Sequence, residues 1–230
     1  MNKKFISLIV FSFCFGVVHN YQINFMGINV AKVSMAHKDT SYANQLCTIV
    51  RFNANTKAIS NFFYPINNYY EIIHSQKTNQ ILKFRKKTSQ PELENELITE
   101  LIENKAFYKD TNISIPDDAL TLFTFFYLLS NDLLQSNVYN IEREGMIYFA
   151  QIENLKNDGN DISQYRLILE KQNSFNNISI LKNTDIFTWA VFKKNAKRTI
   201  WVNTSKKLIE KCYFNIGLLT LEAEYLSSDE

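Results

Sequence analysis

The sequence predicts a mainly β fold: an antiparallel meander forming a curved sheet or a partly open β-barrel, with one buried or covering helix. Three observations carry that reading. Most of the chain alternates apolar and polar residues with period two, as strands with one buried face do. The connections between those runs are too short for parallel crossovers, so neighbours pair antiparallel. One segment, 114–130, carries helical spacing instead.

Before the first strand comes an export signal. MNKK supplies two lysines, and FISLIVFSFCFGVV runs apolar from Phe5 to Val18. That is a charged n-region and an apolar h-region of signal length. It is shorter than the ~20 residues of a membrane span. Cys14 and Gly16 are small residues that place cleavage after Gly16, leaving 17–230 as a single β-rich domain. An uncleaved amphiphilic anchor is the alternative. Acylation of Cys14 fits less well, because Phe13 is bulky where a lipobox wants a small residue. The signal by itself predicts export. The formal charge is +2, and loss of Lys3 and Lys4 brings it to about zero. A neutral domain without a basic stripe argues against nucleic acid as a partner.

The strands follow in order. YQINF sets Tyr21, Ile23 and Phe25 on one side, and NVAKVSMAHK does the same with Ala31, Val33 and Met35. QLCTIVRF alternates through Leu46, Thr48, Val50 and Phe52; QILKFRKKT sets Leu82 and Phe84 against Lys83 and Arg85. MIYFAQIENL and QYRLILEKQ flank a polar loop at 157–161. RTIWVN, KLIEKCYFNI and LLTLEAEY close the chain as a meander, with turns at Asn203–Lys206 and Asn215–Gly217. ELENELITELIEN, 92–104, fits a helix by propensity and a hairpin around Glu103-Asn104-Lys105 by context; the hairpin is the reading adopted. In SIPDDALTLFTFFYLLS, Pro116, Asp117 and Asp118 precede Leu120, Phe123 and Tyr127 at spacings of three and four, which reads as a capped helix start. Cys47 and Cys212 remain after processing, either as a disulfide or as two buried thiols.

No chemistry-bearing motif emerges. His37 and His74 stand apart in sequence, and no HxH, HExxH, CxxC, GxSxG or glycine-rich phosphate loop occurs. The expectation is a protein that is not an enzyme and needs no cofactor or metal.

The order of these features resembles the bacterial exported family called domain of unknown function 3108. The resemblance runs from YQINFMGINVAKVSM through ISNFFYPINNYYEIIHS, QILKFRKKT and the 114–130 segment to RTIWVNTSKKLIEKCYFNIGLLTLEAEY. Phe63-Tyr64-Pro65 with Tyr70-Glu71, and Ile200-Trp201-Val202, are its most specific parts. Lys194-Asn195-Ala196-Lys197 stands where the family tends to have glycines. The resemblance implies the fold and a location in the periplasm or at the outer membrane of a Gram-negative envelope, and no activity.

NFFYPINNYYEI, 61–72, is then the end of one strand, a turn set by Pro65 and Asn67-Asn68, and the start of the next. Its aromatics have two readings. They seal one end of the sheet as a plug, or they rim an apolar ligand pocket with tyrosine hydroxyls and Glu71 as polar anchors. The candidate ligand-binding set is Phe62, Phe63, Tyr64, Tyr69, Tyr70 and Glu71, with Phe123, Tyr127 and Trp201. The expected function is a non-catalytic binding module for an apolar or lipid-like small molecule. The alternative is a structural or assembly protein that docks on another envelope protein.

Overall fold

The computed structural model describes residues 16–56, 64–157, 161–172 and 179–229. In chain order these form β1 (Val18–Phe25), β2 (Ile28–Tyr42), β3 (Gln45–Thr56), β4 (Asn67–Ser75), β5 (Ile81–Gln90), β6 (Leu93–Ile102), β7 (Lys105–Tyr108) and β8 (Ala119–Thr121). Then come α1 (Leu122–Ser130), β9 (Val138–Arg143), β10 (Met146–Asn157), β11 (Ile162–Lys171), α2 (Ile186–Phe192), β12 (Lys197–Asn203), β13 (Leu208–Ile216) and β14 (Leu219–Asp229).

The strands make one sheet whose middle is the pair β1–β14. On one side β2 to β7 step outward in sequence order; on the other, β13 back to β8 do the same. The β8–β9 pair is parallel, and the other pairs are antiparallel. The outermost strands β7 and β8 do not pair with each other, so the sheet curls without closing into a barrel. Register shifts in β1, at Ile73/His74, at Asn154/Lys156 and at Trp201/Val202 help the curl, since bulges add bend and twist.

Glycine is scarce, so other residues make the tight turns. Ala43-Asn44 and Glu103-Asn104 both hold positive φ at the two central positions, as type I′ hairpins require. The hairpin read at 103–105 is therefore present, between β6 and β7. The period-two reading also holds for most strands: Tyr21, Ile23, Ala31, Met35, Val50 and Phe52 are buried on the concave face. Leu46 departs from it and is 68% exposed, while its neighbour Cys47 is buried. Cys47 and Cys212 are both free and buried, in separate apolar clusters.

The helical segment starts later than its sequence suggests. Pro116-Asp117-Asp118 does not cap a helix. Ala119–Thr121 first forms a short strand against Asn140–Glu142. Asp117 instead accepts from Gln80 Nε2 at 2.9 Å, and Asp118 from Asn140 Nδ2 at 2.6 Å. The true cap is Thr121, whose hydroxyl accepts from the Thr124 amide at 3.0 Å. Thr121→Ala is expected to cost about 1–2 kcal/mol in urea denaturation, and Asp117→Ala clearly less. Every residue of α1 is buried. A second helix, α2, was not foreseen; Asp185 caps it by accepting from the Thr188 amide at 2.9 Å. Neither helix is long enough to cross a membrane. Residues 1–15 of the export-signal reading lie outside the described residues, and Val18, the end of that apolar run, opens β1.

Candidate functional site: an apolar cavity with a charged floor

The curled sheet and the two helices enclose a cavity of about 630 Å³. That falls in the roughly 300–1,000 Å³ range of small-molecule sites. The central strands β1–β4, β13 and β14 form one wall, and Phe123 and Phe126 of α1 with Ile186 and Phe187 of α2 form the other. Period two explains the wall: Tyr21, Ile23 and Phe25, then Ala31, Val33 and Met35, point the same way along adjacent strands. The lining is almost wholly apolar. Phe123 anchors the packing, with ring centroids 4.6 Å from Phe52, 4.3 Å from Tyr70 and 5.9 Å from Phe187.

Of the residues singled out in the sequence, Tyr64, Tyr70 and Phe123 line this cavity. Phe62 and Phe63 lie outside the described residues. Tyr69 and Glu71 do not line it. They sit on the other face of β4, where Glu71 accepts from Tyr69 at 2.8 Å and from Arg51 at 2.9 Å and pairs with Lys83 at 3.5 Å. Trp201 is also absent from the lining; it is half-buried and alternates with the buried Ile200 and Val202. Tyr127 packs elsewhere, its ring 5.0 Å from His37 and 5.5 Å from His74. His19 lies 6.4 Å beyond His37, so the chain's three histidines converge beside α1. Burial lowers the pKa of all three, that of His74 to about 4.

Behind Tyr70 the chemistry changes. Its hydroxyl accepts from Asn68 Nδ2 at 3.3 Å and is hydrogen-bonded to the Asp185 carboxylate. Asp185 Oδ2 lies 2.5 Å from Lys86 Nζ, which also pairs with Glu144 and donates to Thr184 at 3.2 Å. Lys86, Glu144 and Asp185 are each no more than 3% exposed. Burial works against the Lys86 ammonium, but Asp185 and Glu144 outweigh it and hold its pKa above the usual lysine value. Burial likewise works against the Asp185 carboxylate, and Lys86 outweighs it and holds that pKa low. Beside this group Glu142 accepts from the Tyr108 hydroxyl and from the Gly145 amide at 2.8 Å. Burial pushes its pKa up to about 7 despite those bonds.

The sequence reading missed this network entirely. Two carboxylates, Glu144 and Asp185, converge on the Lys86 ammonium, and Glu142 lies beside them on partners of its own. Among the described residues no group of three or more His, Cys, Asp or Glu is arranged to hold a metal ion. The arrangement fastens α2, the β9–β10 turn and β5 to one another, and so fixes the floor of the cavity.

The fold and site together define an open, curled antiparallel sheet wrapped on two helices around an apolar chamber. No family model matches the sequence, and no curated protein matches it, so the family resemblance read from the sequence gains no support from these comparisons. Among solved structures the chain is similar to a beta-barrel-like protein of Domain of Unknown Function DUF1849 from Brucella abortus. The identity is 7% and the TM-score 0.49, over 94% of this chain and 97% of that one.

Proposed function

We propose that this protein is an exported, non-catalytic binding module for an apolar or lipid-like molecule, held between the concave face of the sheet and the helices. One observation carries the reading: a chamber of about 630 Å³ with an almost wholly apolar lining. A core without a ligand packs to the density of an organic crystal, with few voids larger than a water molecule. Space of this size lined by Ile, Val, Phe and Met suits the chain of a lipid better than a charged or sugar-like substrate. Tyr64 and Tyr70 both line the chamber, Tyr64 at its exposed edge and Tyr70 with its hydroxyl already held by Asn68 and Asp185.

Native mass spectrometry with lipid extraction tests this on protein exported to a periplasm and purified without detergent. A stoichiometric apolar adduct is expected. Ala54→Trp, which places an indole into the chamber from β3, is expected to remove the adduct while the far-ultraviolet circular dichroism is kept. Bare wild-type protein, or an adduct indifferent to Ala54→Trp in a folded variant, would overturn the assignment.

A further inference from the structure

The end of the molecule where the chamber reaches the surface is unusual in its turns. Hairpin tips elsewhere in this fold are largely polar, as at Glu103-Asn104 and Thr204–Lys207. At this end the β1–β2 tip is Met26-Gly27 followed by Ile28, and the β13–β14 tip is Gly217-Leu218 followed by Leu219. Leu218 is 91% exposed, Ile28 67% and Met26 49%. The tips lie side by side, joined by a 3.0 Å bond from the Met26 amide to the Thr220 carbonyl. Met26 and Gly27 both hold positive φ, a backbone that favours Asn, Asp and Gly over a methionine. Leu218 is almost wholly in water, and much of Met26 and Ile28 is too, so folding buries little of this apolar surface.

Two further features accompany the tips. Ile28 both projects into water and lines the chamber, so the exposed apolar patch is continuous with the chamber's interior. Lys197 is exposed and pairs with Asn215 two residues before Gly217, and the exposed Lys193 and Lys194 shortly precede it in the connection from α2 to β12. The nearest acid on β14, Glu222, is neutralised by Lys211 at 3.0 Å. An apolar wedge flanked by lysines is complementary to one kind of surface, the interface of an anionic bilayer.

We infer that the paired β1–β2 and β13–β14 tips dock on the surface of an anionic membrane, with Met26, Ile28 and Leu218 seated at the level of the headgroups and the lysines on lipid phosphates. Docked this way, the chamber faces the acyl region and an apolar molecule passes between them without crossing water. The passage rests on the proposed ligand site; the docking rests on the tips alone.

Vesicle flotation separates the two. The probe is vesicles of phosphatidylglycerol with phosphatidylethanolamine, set against phosphatidylcholine alone, with protein recovered from cells without detergent. Wild type is expected to float with the anionic vesicles and to release as salt is raised. The double variant Met26→Asp/Leu218→Asp suits tight turns and should fold. It is expected to bind at least about tenfold more weakly. Both proteins carry the same N-terminus, so the difference reports the tips. Lys193→Gln/Lys194→Gln/Lys197→Gln is expected to erase the preference for anionic vesicles. Wild type that stays in solution, or a double variant that floats equally, overturns the docking. Self-association without vesicle binding, abolished by the Asp pair, overturns it in favour of a second copy of the chain. The apolar adduct in native mass spectra is expected to survive in the Asp variant. Its absence from wild type as well would count against the ligand site and leave the flotation result standing.

Discussion

Replacing Lys86 with methionine is expected to cost about 3–5 kcal/mol of folding stability, the range for removing one partner of a buried ion pair. The reason is the charge left behind. Glu144 and Asp185 are both buried against Lys86, and without it they face each other with only Arg143, 3.8 Å from Glu144, to offset them. Asp185 also caps α2 and holds Tyr70, so the loss reaches the chamber floor. Urea denaturation monitored by circular dichroism measures it. Adding Glu144→Gln and Asp185→Asn to Lys86→Met is expected to recover much of the loss, because uncharged amides carry a smaller burial penalty. If Lys86→Met costs no more than about 1 kcal/mol, the value of an ordinary hydrogen bond, the network is not the fastening described here.

The second large effect is a pH profile with two opposing arms. Glu142 is raised from 4.5 to about 7, chiefly by burial. Its folded pKa lies above its unfolded one, so its contribution is full below pH 4.5 and is lost as the pH rises through about 7. His74 is lowered from 6.5 to about 4, again by burial. Its contribution is full above pH 6.5 and is lost as the pH falls through about 4. Each arm amounts to roughly 3 kcal/mol, and between them the wild-type profile is flattened. Glu142→Gln keeps an acceptor for Tyr108 and Gly145 and leaves the histidine arm, so the variant is expected to weaken steadily as pH falls below neutral. His74→Phe keeps a ring beside Tyr127 and leaves the carboxylate arm, so that variant is expected to be more stable near pH 5 than near pH 8. Urea titrations of the three proteins across that range decide the matter; variants that keep the wild-type profile would refute both arms.

Much of the cavity wall was legible in the sequence because alternation is local. Tyr21-Ile23-Phe25 and Ala31-Val33-Met35 show their common face within a few residues, and the fold uses that face. The charged floor was illegible for the opposite reason. Lys86 reads as a solvated lysine among its neighbours in FRKK, yet it continues the inward series of Phe84 and Thr88. Its acidic partners arrive from other elements, Glu144 from a position 58 residues further along the chain. The helix start was misplaced because Pro-Asp-Asp is also a good entry to a short strand, and pairing with β9 decided the case. Trp201, Tyr69 and Glu71 were grouped with the pocket by residue type, and the alternation that identified the wall would have separated Glu71 from Tyr70.

The pairing of β1 with β14 sets the order of assembly. Gln22 and Glu224, 202 positions apart, are joined across that seam. Contacts of such separation carry the largest loop-closure entropy and form late. The outer hairpins can form as the chain emerges, but the seam waits for the last strand, and the chamber has walls on both sides of it. A nascent chain therefore has no finished chamber for as long as its final strand is missing. Circular permutation that joins the ends and reopens the chain between β7 and β8 would turn the seam into a local hairpin, and faster folding of that permutant is the kinetic consequence.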